Sequence, residues 1–276
     1  CTSLGMGENV NEILPGLDLQ NLIQFLLAFF LTSIRLSAFL IAAPLFNAAF
    51  FMVRIRILIA MVVSVIVFST QEVQVDVSVL TSAFGLVVIA KEIAIGATAG
   101  LILTIMFSAA TLAGEKIATS AGLSYAAQVD PVSGVQTPVV SQILALFLLA
   151  VFISVDGHLA SLRIIIESYN FVPIGTLTLP SALIQGGMEA TGSMFLNASI
   201  IMLPVIIVVL LINVAAGIIT RSAPQLNLFS FVFPITILGA FIILYFSLGH
   251  LGHAFSDLVN VSLDHLMQTI MVLNDG

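Results

Sequence analysis

The chain has 276 residues, of which 60% are hydrophobic and only 8% are charged, and its mean hydropathy is +1.21. Soluble domains carry about 25% charged residues, so the composition excludes an ordinary soluble protein and predicts a polytopic membrane protein. The formal net charge of −7 excludes a basic surface for nucleic acid or for anionic lipid.

The amino-terminal residues carry little structural information. The single cysteine, Cys1, excludes an internal disulfide framework. The residues that follow are acidic and polar and lack the basic region of a secretory signal, so we interpret them as a mature end.

Six apolar segments predict long helices, in chain order Leu22–Ala43, Ile55–Thr70, Val79–Ala113, Pro138–Val155, Gly192–Gly217 and Leu228–Leu248. A helix needs roughly 20 residues to cross the hydrocarbon. The second segment is short for one crossing and the third is too long, so the bilayer alone did not set these lengths. A Pro/Gly-rich region from Pro173 to Gly192 is expected to interrupt the chain before the last two segments.

Two further segments have apolar residues at helical spacing and predict amphipathic helices, Gly157–Asn170 and Leu251–Leu273. In the first of these, the apolar face is expected to consist of Leu159, Leu162, Ile165 and Ile166. The predicted fold class is therefore all-α, a polytopic helical membrane protein with about six long apolar helices plus amphipathic helices.

The segment GLSYAAQVDPVSGVQTPV, which begins at Gly122, combines turn-forming residues with apolar bulk. Non-helical backbone near membrane depth is tolerated only where it is buried in protein or lines a cavity. The segment therefore predicts a pore plug or gate, and the alternative is an ordinary connecting loop. The candidate gate residues are Gly122, Leu123, Ser124, Tyr125, Val129, Asp130, Pro131, Ser133, Gly134, Gln136 and Pro138.

Small residues recur at a spacing of four in the third apolar segment and just after it. Gly96 is followed by Gly100, Ala110 by Gly114, and Ala118 by Gly122. Small residues let helix backbones approach closely inside a membrane. The three pairs favour a packed helix interface, and Gly96, Gly100 and Gly114 are the candidate packing residues.

Three ionisable residues, Arg35, Lys91 and Glu92, lie inside apolar segments. Such residues face a bundle interior, a wet cavity or a partner charge. They are candidates for the pathway of a small-solute or ion transporter. We favour a buried ion pair or a subunit contact, because three charges without regular spacing do not form a proton relay.

His250, His253 and Asp257 are spaced as a helical metal site would be. We favour the solvated stripe of an amphipathic helix instead, so no metal site is predicted. The sequence contains no HExxH, GxSxG or Walker A motif and no GxGxxG followed by a helix. Neither an enzyme activity nor a cofactor is predicted.

Three blocks of sequence, taken together and in this order, resemble the FliR family of the flagellar type III export apparatus, which is related to an injectisome component. The blocks are GLSYAAQVDPVSGVQTPVVSQ from Gly122, DGHLASLRIIIESYNFVPIG from Asp156 and SAPQLNLFSFVFPITILG from Ser222. With length and segment order, the resemblance covers most of the chain.

The resemblance implies a subunit of an export gate in the bacterial inner membrane, at the flagellar basal body. One copy would join several copies of FliP and FliQ, with FlhB at the cytoplasmic entrance and FlhA below, to conduct unfolded flagellar proteins. It implies a FliP-like part over residues 1–187 and a FliQ-like helical hairpin over residues 188–276. It also places the family's plug loop at residues 122–138. The injectisome export gate is the nearer alternative, and a small-solute or ion transporter is the more distant one.

Overall fold

The computed structural model describes residues 19–45, 52–70, 84–123, 138–175, 181–222 and 228–273, and every regular element within these ranges is an α-helix. The predicted all-α class is confirmed. The helices are α1 (Leu19–Ala42), α2 (Val53–Thr70), α3 (Phe84–Ser120), α4 (Val139–Ser154), α5 (Gly157–Phe171), α6 (Ser181–Ser222) and α7 (Leu228–Val272).

Among the described residues, four helices are long and apolar enough to cross a membrane. A fifth crossing is formed if α4 and α5 make one broken span, because the two helices meet at an angle of 67°. The bend is at Val155 and Asp156, and Asp156 has a positive φ of 56°. The described residues therefore contain four or five candidate spans, so the expected count of about six was approximate.

The last apolar segment and the amphipathic helix after it were expected to be separate, and that expectation was wrong. They form one helix of 45 residues, α7. Gly249 and Gly252 lie in its interior. Each costs only about 1 kcal/mol relative to alanine, and buried Leu251 and Phe255 hold the same turns in the core, so the helix continues.

The expected interruption up to Gly192 was also wrong over its second half. Helix α6 begins at Ser181 and runs for 42 residues, so Gly186, Gly187 and Gly192 are helical. Gly186 is buried against Thr269 of α7, where an added Cβ would lie 2.5 Å from that side chain. This glycine permits close helix packing and does not end the helix.

The chain divides into two compact units. The first contains the described residues up to Gly100, residues 165–183 and the end of α7 from Ile270. Here α1 packs against α2, and a cluster of Ala28, Leu31 and Val88 joins α1 to α3. A second cluster joins Ile95 of α3 to residues that follow α5 and α7, namely Val172 and Leu273.

The second unit contains residues 101–164 and 184–269, and its main feature is a hairpin of α6 and α7. Ser193 Oγ of α6 lies 2.7 Å from His265 Nε2 of α7. Further along α6, Ile212 contacts Gly239, which lies earlier in α7. Residues later in α6 therefore contact residues earlier in α7, which is the pattern of an antiparallel helix pair.

The apolar face expected for α5 is partly wrong. Leu159 is 56% exposed, whereas Ser161, Ile165, Ser168 and Tyr169 are buried. The buried stripe is therefore rotated around the helix axis towards small polar residues. Hydrophobicity alone did not predict this face, because two of its residues are serines. Burial does not leave their hydroxyls unbonded, since Ser161 donates to His158 O and Ser168 donates to Ile165 O within the same helix.

The small residues of α3 mark close helix contacts. A Cβ at Gly96 would collide with the carbonyl oxygen of Arg35, and one at Gly100 would lie 2.6 Å from Ala42 Cβ of α1. In the second unit, a Cβ at Gly114 would collide with the backbone of Ser141 of α4. Each glycine therefore allows a neighbouring backbone to approach within the chain.

These contacts predict that alanine has one effect at two packed glycines and the opposite effect at a third, open one. Gly96→Ala and Gly100→Ala should each destabilise the protein by about 1–3 kcal/mol, because the new methyl group overpacks the interface with α1. Leucine at either site should be worse. Gly187→Ala is the control, since nothing lies within 4 Å of that site, and alanine should stabilise the helix by about 0.5–1 kcal/mol.

The measurement is the apparent melting temperature of the tagged chain in detergent-solubilised membranes. A decrease for Gly96→Ala and Gly100→Ala with no decrease for Gly187→Ala is the expected pattern. Equal melting temperatures for all variants would mean that the glycines are not needed for packing.

Candidate functional site

Arg35 and Glu92 are two of the three ionisable residues that lie inside apolar segments. They form an ion pair between α1 and α3. Arg35 Nε donates to Glu92 Oε2 at 2.7 Å, and Arg35 Nη2 donates to Glu92 Oε1 at 3.1 Å. Both side chains are 0% exposed. This two-point geometry is the strong form of an arginine–carboxylate contact.

A third helix completes the site. Arg35 Nη1 donates to Ser168 Oγ at 3.0 Å, and Arg35 Nη2 donates to Val172 O at 2.9 Å. The guanidinium carbon lies 4.2 Å from the ring centroid of Tyr169, whose hydroxyl donates to Thr32 O at 2.8 Å. Four of the five guanidinium N–H groups are therefore bonded to residues of α3, of α5 or directly after α5.

The sequence analysis missed Ser168 and Tyr169. They lie 133 and 137 residues from their partners on α1, and no spacing rule connects positions so far apart. The available signal was local, since Ser161 and Ser168 are seven residues apart and thus fall on one face of α5.

Lys91, the third expected charge, is placed differently. It is half-buried, and its Nζ lies 3.3 Å from the carbonyl oxygen of Pro173. Its side chain leaves α3 about 100° around the helix axis from that of Glu92, because the two residues are adjacent on the helix. The enclosed pair and the half-buried lysine therefore occupy different environments.

Glu92, Gly96 and Gly100 are each four residues apart and so share one face of α3. The glycines bring the α1 backbone close to α3, and this approach places Arg35 within reach of Glu92. Packing and ion pairing are thus parts of one arrangement. The site joins three helices, and the side chains of Arg35 and Glu92 at its centre are fully enclosed by the described residues.

Of the candidate gate residues, the structure describes Gly122, Leu123 and Pro138; Ser124, Tyr125, Val129, Asp130, Pro131, Ser133, Gly134 and Gln136 lie outside the described residues. The described ends are well held. Gly122 has a positive φ of 84° and follows the end of α3, as a helix-terminating glycine does. Pro138 is the N-cap of α4.

Helix α7 holds the first of these ends. A Cβ on Gly122 would lie 2.5 Å from the ring of Phe233. Next to it, Thr236 Oγ1 donates to Ala121 O at 3.2 Å, which satisfies one carbonyl at the end of α3. At the other end, α4 is fixed to α3 by the bond from Ser141 Oγ to Thr111 O at 2.8 Å.

His250, His253 and Asp257 are exposed on α7 and line one cavity with residues of α6. Within the described part of the chain, no three His, Cys, Asp or Glu side chains converge as metal ligands would. Among the described residues, His250, His253 and Asp257 therefore do not come together as a three-ligand metal site.

Comparison with known proteins assigns the chain to a family. Residues 26–261 match the family described as bacterial export proteins, family 1. The chain belongs to this family. The match covers α2 to α6 and most of α1 and α7, so the resemblance drawn from three blocks of sequence is confirmed.

Curated relatives cover nearly the same length. The flagellar biosynthetic protein FliR of Escherichia coli (strain K12) is 31% identical over 209 residues, which are 76% of this chain and 79% of that protein. FliR of Bacillus subtilis (strain 168) is 31% identical over 82% of this chain and 88% of that protein. The surface presentation of antigens protein SpaR of Shigella flexneri is 28% identical over 76% and 81%, respectively.

The buried ion pair predicts a non-additive mutant series. Glu92→Leu or Arg35→Met alone should cost about 3–5 kcal/mol, because each leaves one buried charge without its partner. The double variant should be less destabilised than the sum of the two single changes. Glu189→Gln is the control, since Glu189 is exposed on α6 and surface changes stay within about 0.5 kcal/mol.

A double-mutant cycle on the apparent melting temperature of the purified complex tests this prediction. Additive losses from the two single changes would mean that Arg35 and Glu92 do not stabilise the structure as a pair.

Proposed function

We propose that the chain is a structural and gating subunit of the flagellar type III export channel in the bacterial inner membrane. In this role it forms part of a conduit for unfolded flagellar proteins and catalyses no reaction. Membership of the bacterial export family supports this function, as do the FliR relatives from two distantly related bacteria.

The observation that carries the assembly part of the proposal is the exposed apolar surface of α6. One stripe at helical spacing consists of residues that are 48–64% exposed, namely Leu196, Ile200, Leu203, Ile207, Leu210, Val214 and Ile218. Exposed apolar side chains extend on this helix from Ile184 to Ile219, a length of roughly 53 Å at 1.5 Å per residue.

The hydrocarbon core of a bilayer is only about 30 Å thick. Lipid therefore covers part of this surface, and the remainder requires protein partners. We assign those partners as several copies of FliP and FliQ around one copy of this chain, with FlhB at the cytoplasmic entrance and FlhA below. The antiparallel pair of α6 and α7 supports a FliQ-like hairpin over residues 188–276, following a FliP-like part over residues 1–187.

The injectisome export gate is the second candidate, because SpaR is also similar to this chain. Complementation separates the two systems. The chain should restore swimming to a bacterium that lacks its own FliR and should not restore injectisome secretion to one that lacks SpaR. The reverse result would assign the chain to the injectisome.

A small-solute transporter is disfavoured by the site itself. The candidate charges for such a pathway are Arg35, Lys91 and Glu92, and two of the three, Arg35 and Glu92, are fully enclosed. Their hydrogen bonds satisfy each other and the neighbouring backbone, so neither presents a free group to a passing ion.

Assembly is tested by expression with and without partners. The tagged chain should co-purify with FliP and FliQ as one large complex, and alone it should aggregate or be degraded because its apolar surface stays uncovered. The measurement is size-exclusion chromatography in detergent with mass analysis of the subunits. A monodisperse, folded monomer of the chain on its own would contradict the proposal.

The gate is tested by deletion. Removing residues from Ser124 to Gln136 should leave the complex assembled and make the membrane permeable to ions, since a wide pore must be blocked when idle. A Gly/Ser segment of equal length is the matched control, because it restores the connection and lacks the apolar bulk that seals the pore.

Ion conductance of the complex in planar bilayers gives the result. Both variants should conduct, whereas the wild-type complex should not. If the deletion variant assembles and its conductance equals that of the wild type, the segment is a connecting loop and not a gate.

A further inference from the structure

The hairpin of α6 and α7 opens around a cavity of about 590 Å³. The two helices touch on either side of it, through Ser193 and His265 at one end and through Ile212 and Gly239 at the other. The cavity is therefore a local gap between two helices that contact each other on both sides of it. Its volume lies in the range of small-molecule and side-chain binding pockets.

The walls of the cavity are aliphatic. Ile201 of α6 and Leu251 of α7 line it and are buried, and the small Ala254 leaves space between them. Such walls fit the methylene stem of a lysine or arginine, which packs along apolar surface while its charged end remains at a polar site.

The polar groups of the cavity are dominated by oxygen acceptors. Asp257 supplies a carboxylate. Asn197 Nδ2 donates one of its two N–H groups to Ser193 O at 2.8 Å, and its amide oxygen is an acceptor. Pro204, which also lines the cavity, has no N–H and therefore cannot donate to the carbonyl of Ile200 one turn earlier.

Two imidazoles, those of His250 and His253, line the same cavity. Each imidazole presents two ring nitrogens, and Ser247 adds a hydroxyl that can accept or donate. The carboxylate of Asp257 makes a positively charged hydrogen-bond donor the ligand that this set of groups fits.

The charged residues of the surrounding hairpin also favour a positively charged ligand. Its described acidic residues are Glu189, Asp257 and Asp264, and its only Lys or Arg is Arg221, in the last turn of α6. Arg221 lies 17 residues beyond Pro204, which is roughly 26 Å along the helix. The hairpin thus presents negative charge at the cavity without a basic residue of its own beside it.

We propose that this cavity receives the side chain of a lysine or arginine from a partner subunit of the same membrane assembly. The aliphatic walls hold the stem, and Asp257 pairs with the charged end through a charge-assisted hydrogen bond. The docking rests on the proposed function, because it requires the chain to assemble with other subunits.

The test compares variants of the full chain co-expressed with its FliP and FliQ partners. Asp257→Lys should reduce the recovered complex by about tenfold, as expected for the loss of one charge-assisted contact and its replacement by repulsion. Ala254→Phe should reduce it similarly by filling the cavity without changing charge. Asp257→Glu should keep most of the complex.

Asp264→Lys is the matched control, since Asp264 is an exposed acid two turns further along α7 and does not line the cavity. It should stay within about twofold of the wild type, in line with the small effect of exposed charges. The amount of each variant in the membrane is measured in parallel, so that a loss of assembly is separated from a loss of the chain.

A genetic arm identifies the source of the basic residue. Swimming revertants of Asp257→Lys should carry a Lys or Arg changed to Asp or Glu in a partner subunit. Wild-type levels of complex for both Asp257→Lys and Ala254→Phe would overturn the docking. Normal assembly with blocked export would assign the cavity to the exported chain, and would also overturn it.

Failure of the proposed function has a different signature. In that case the wild-type chain itself forms no complex with FliP and FliQ. A normal wild-type complex with unaffected variants contradicts only the docking of a basic side chain.

Discussion

The close approach of α1 to α3 is the constraint on which the first unit depends. Gly96 and Gly100 bring the α1 backbone so near that a methyl group at either position would overlap it. Only at this separation does Arg35 make two hydrogen bonds to Glu92. A buried charge without its partner costs several kcal/mol, and side chains larger than glycine would block the approach that lets the two charges meet.

The ion pair also extends this constraint to α5. Arg35 bonds to Ser168 and to the carbonyl of Val172, so one side chain of α1 fixes residues far along the chain. A buried arginine with most of its donors satisfied specifies a single arrangement of neighbours more sharply than apolar packing does. It therefore helps to define which face of α5 is buried around Ser168, a residue that hydrophobicity did not select.

The hairpin of α6 and α7 follows a different principle. Its helices bury small residues such as Gly186 against each other and leave large apolar residues such as Leu196 and Phe246 exposed. A soluble protein reverses this preference. The hairpin is thus built to be completed by other molecules, and its polar cavity is the one place where we infer a specific chemical partner.

The sequence predicted the helical class, and it located α2 and α4 to within two residues of their ends. Local signals mark these ends, such as Pro138 at the start of α4 and Thr70 at the end of α2. The prediction failed where tertiary contacts override local signals. Gly249 and the Gly186–Gly187 pair indicate breaks, yet packing by Phe255 and Thr269 keeps both helices continuous.

The site was predictable only in part, for a related reason. Charges in apolar segments stand out one by one, so Arg35 and Glu92 were recognised as candidates. Which charges meet, and that Tyr169 covers the guanidinium group, depends on helices brought together over more than a hundred residues of sequence. No local pattern contains that information.

The ends of α3 and α4 are coupled to other helices through contacts of their own. Phe233 and Thr236 of α7 hold the end of α3, and Ser141 bonds the start of α4 to Thr111 of α3. Because each contact joins one helix directly to the next, a displacement of α7 would be transmitted to α3 and, through α3, to α4.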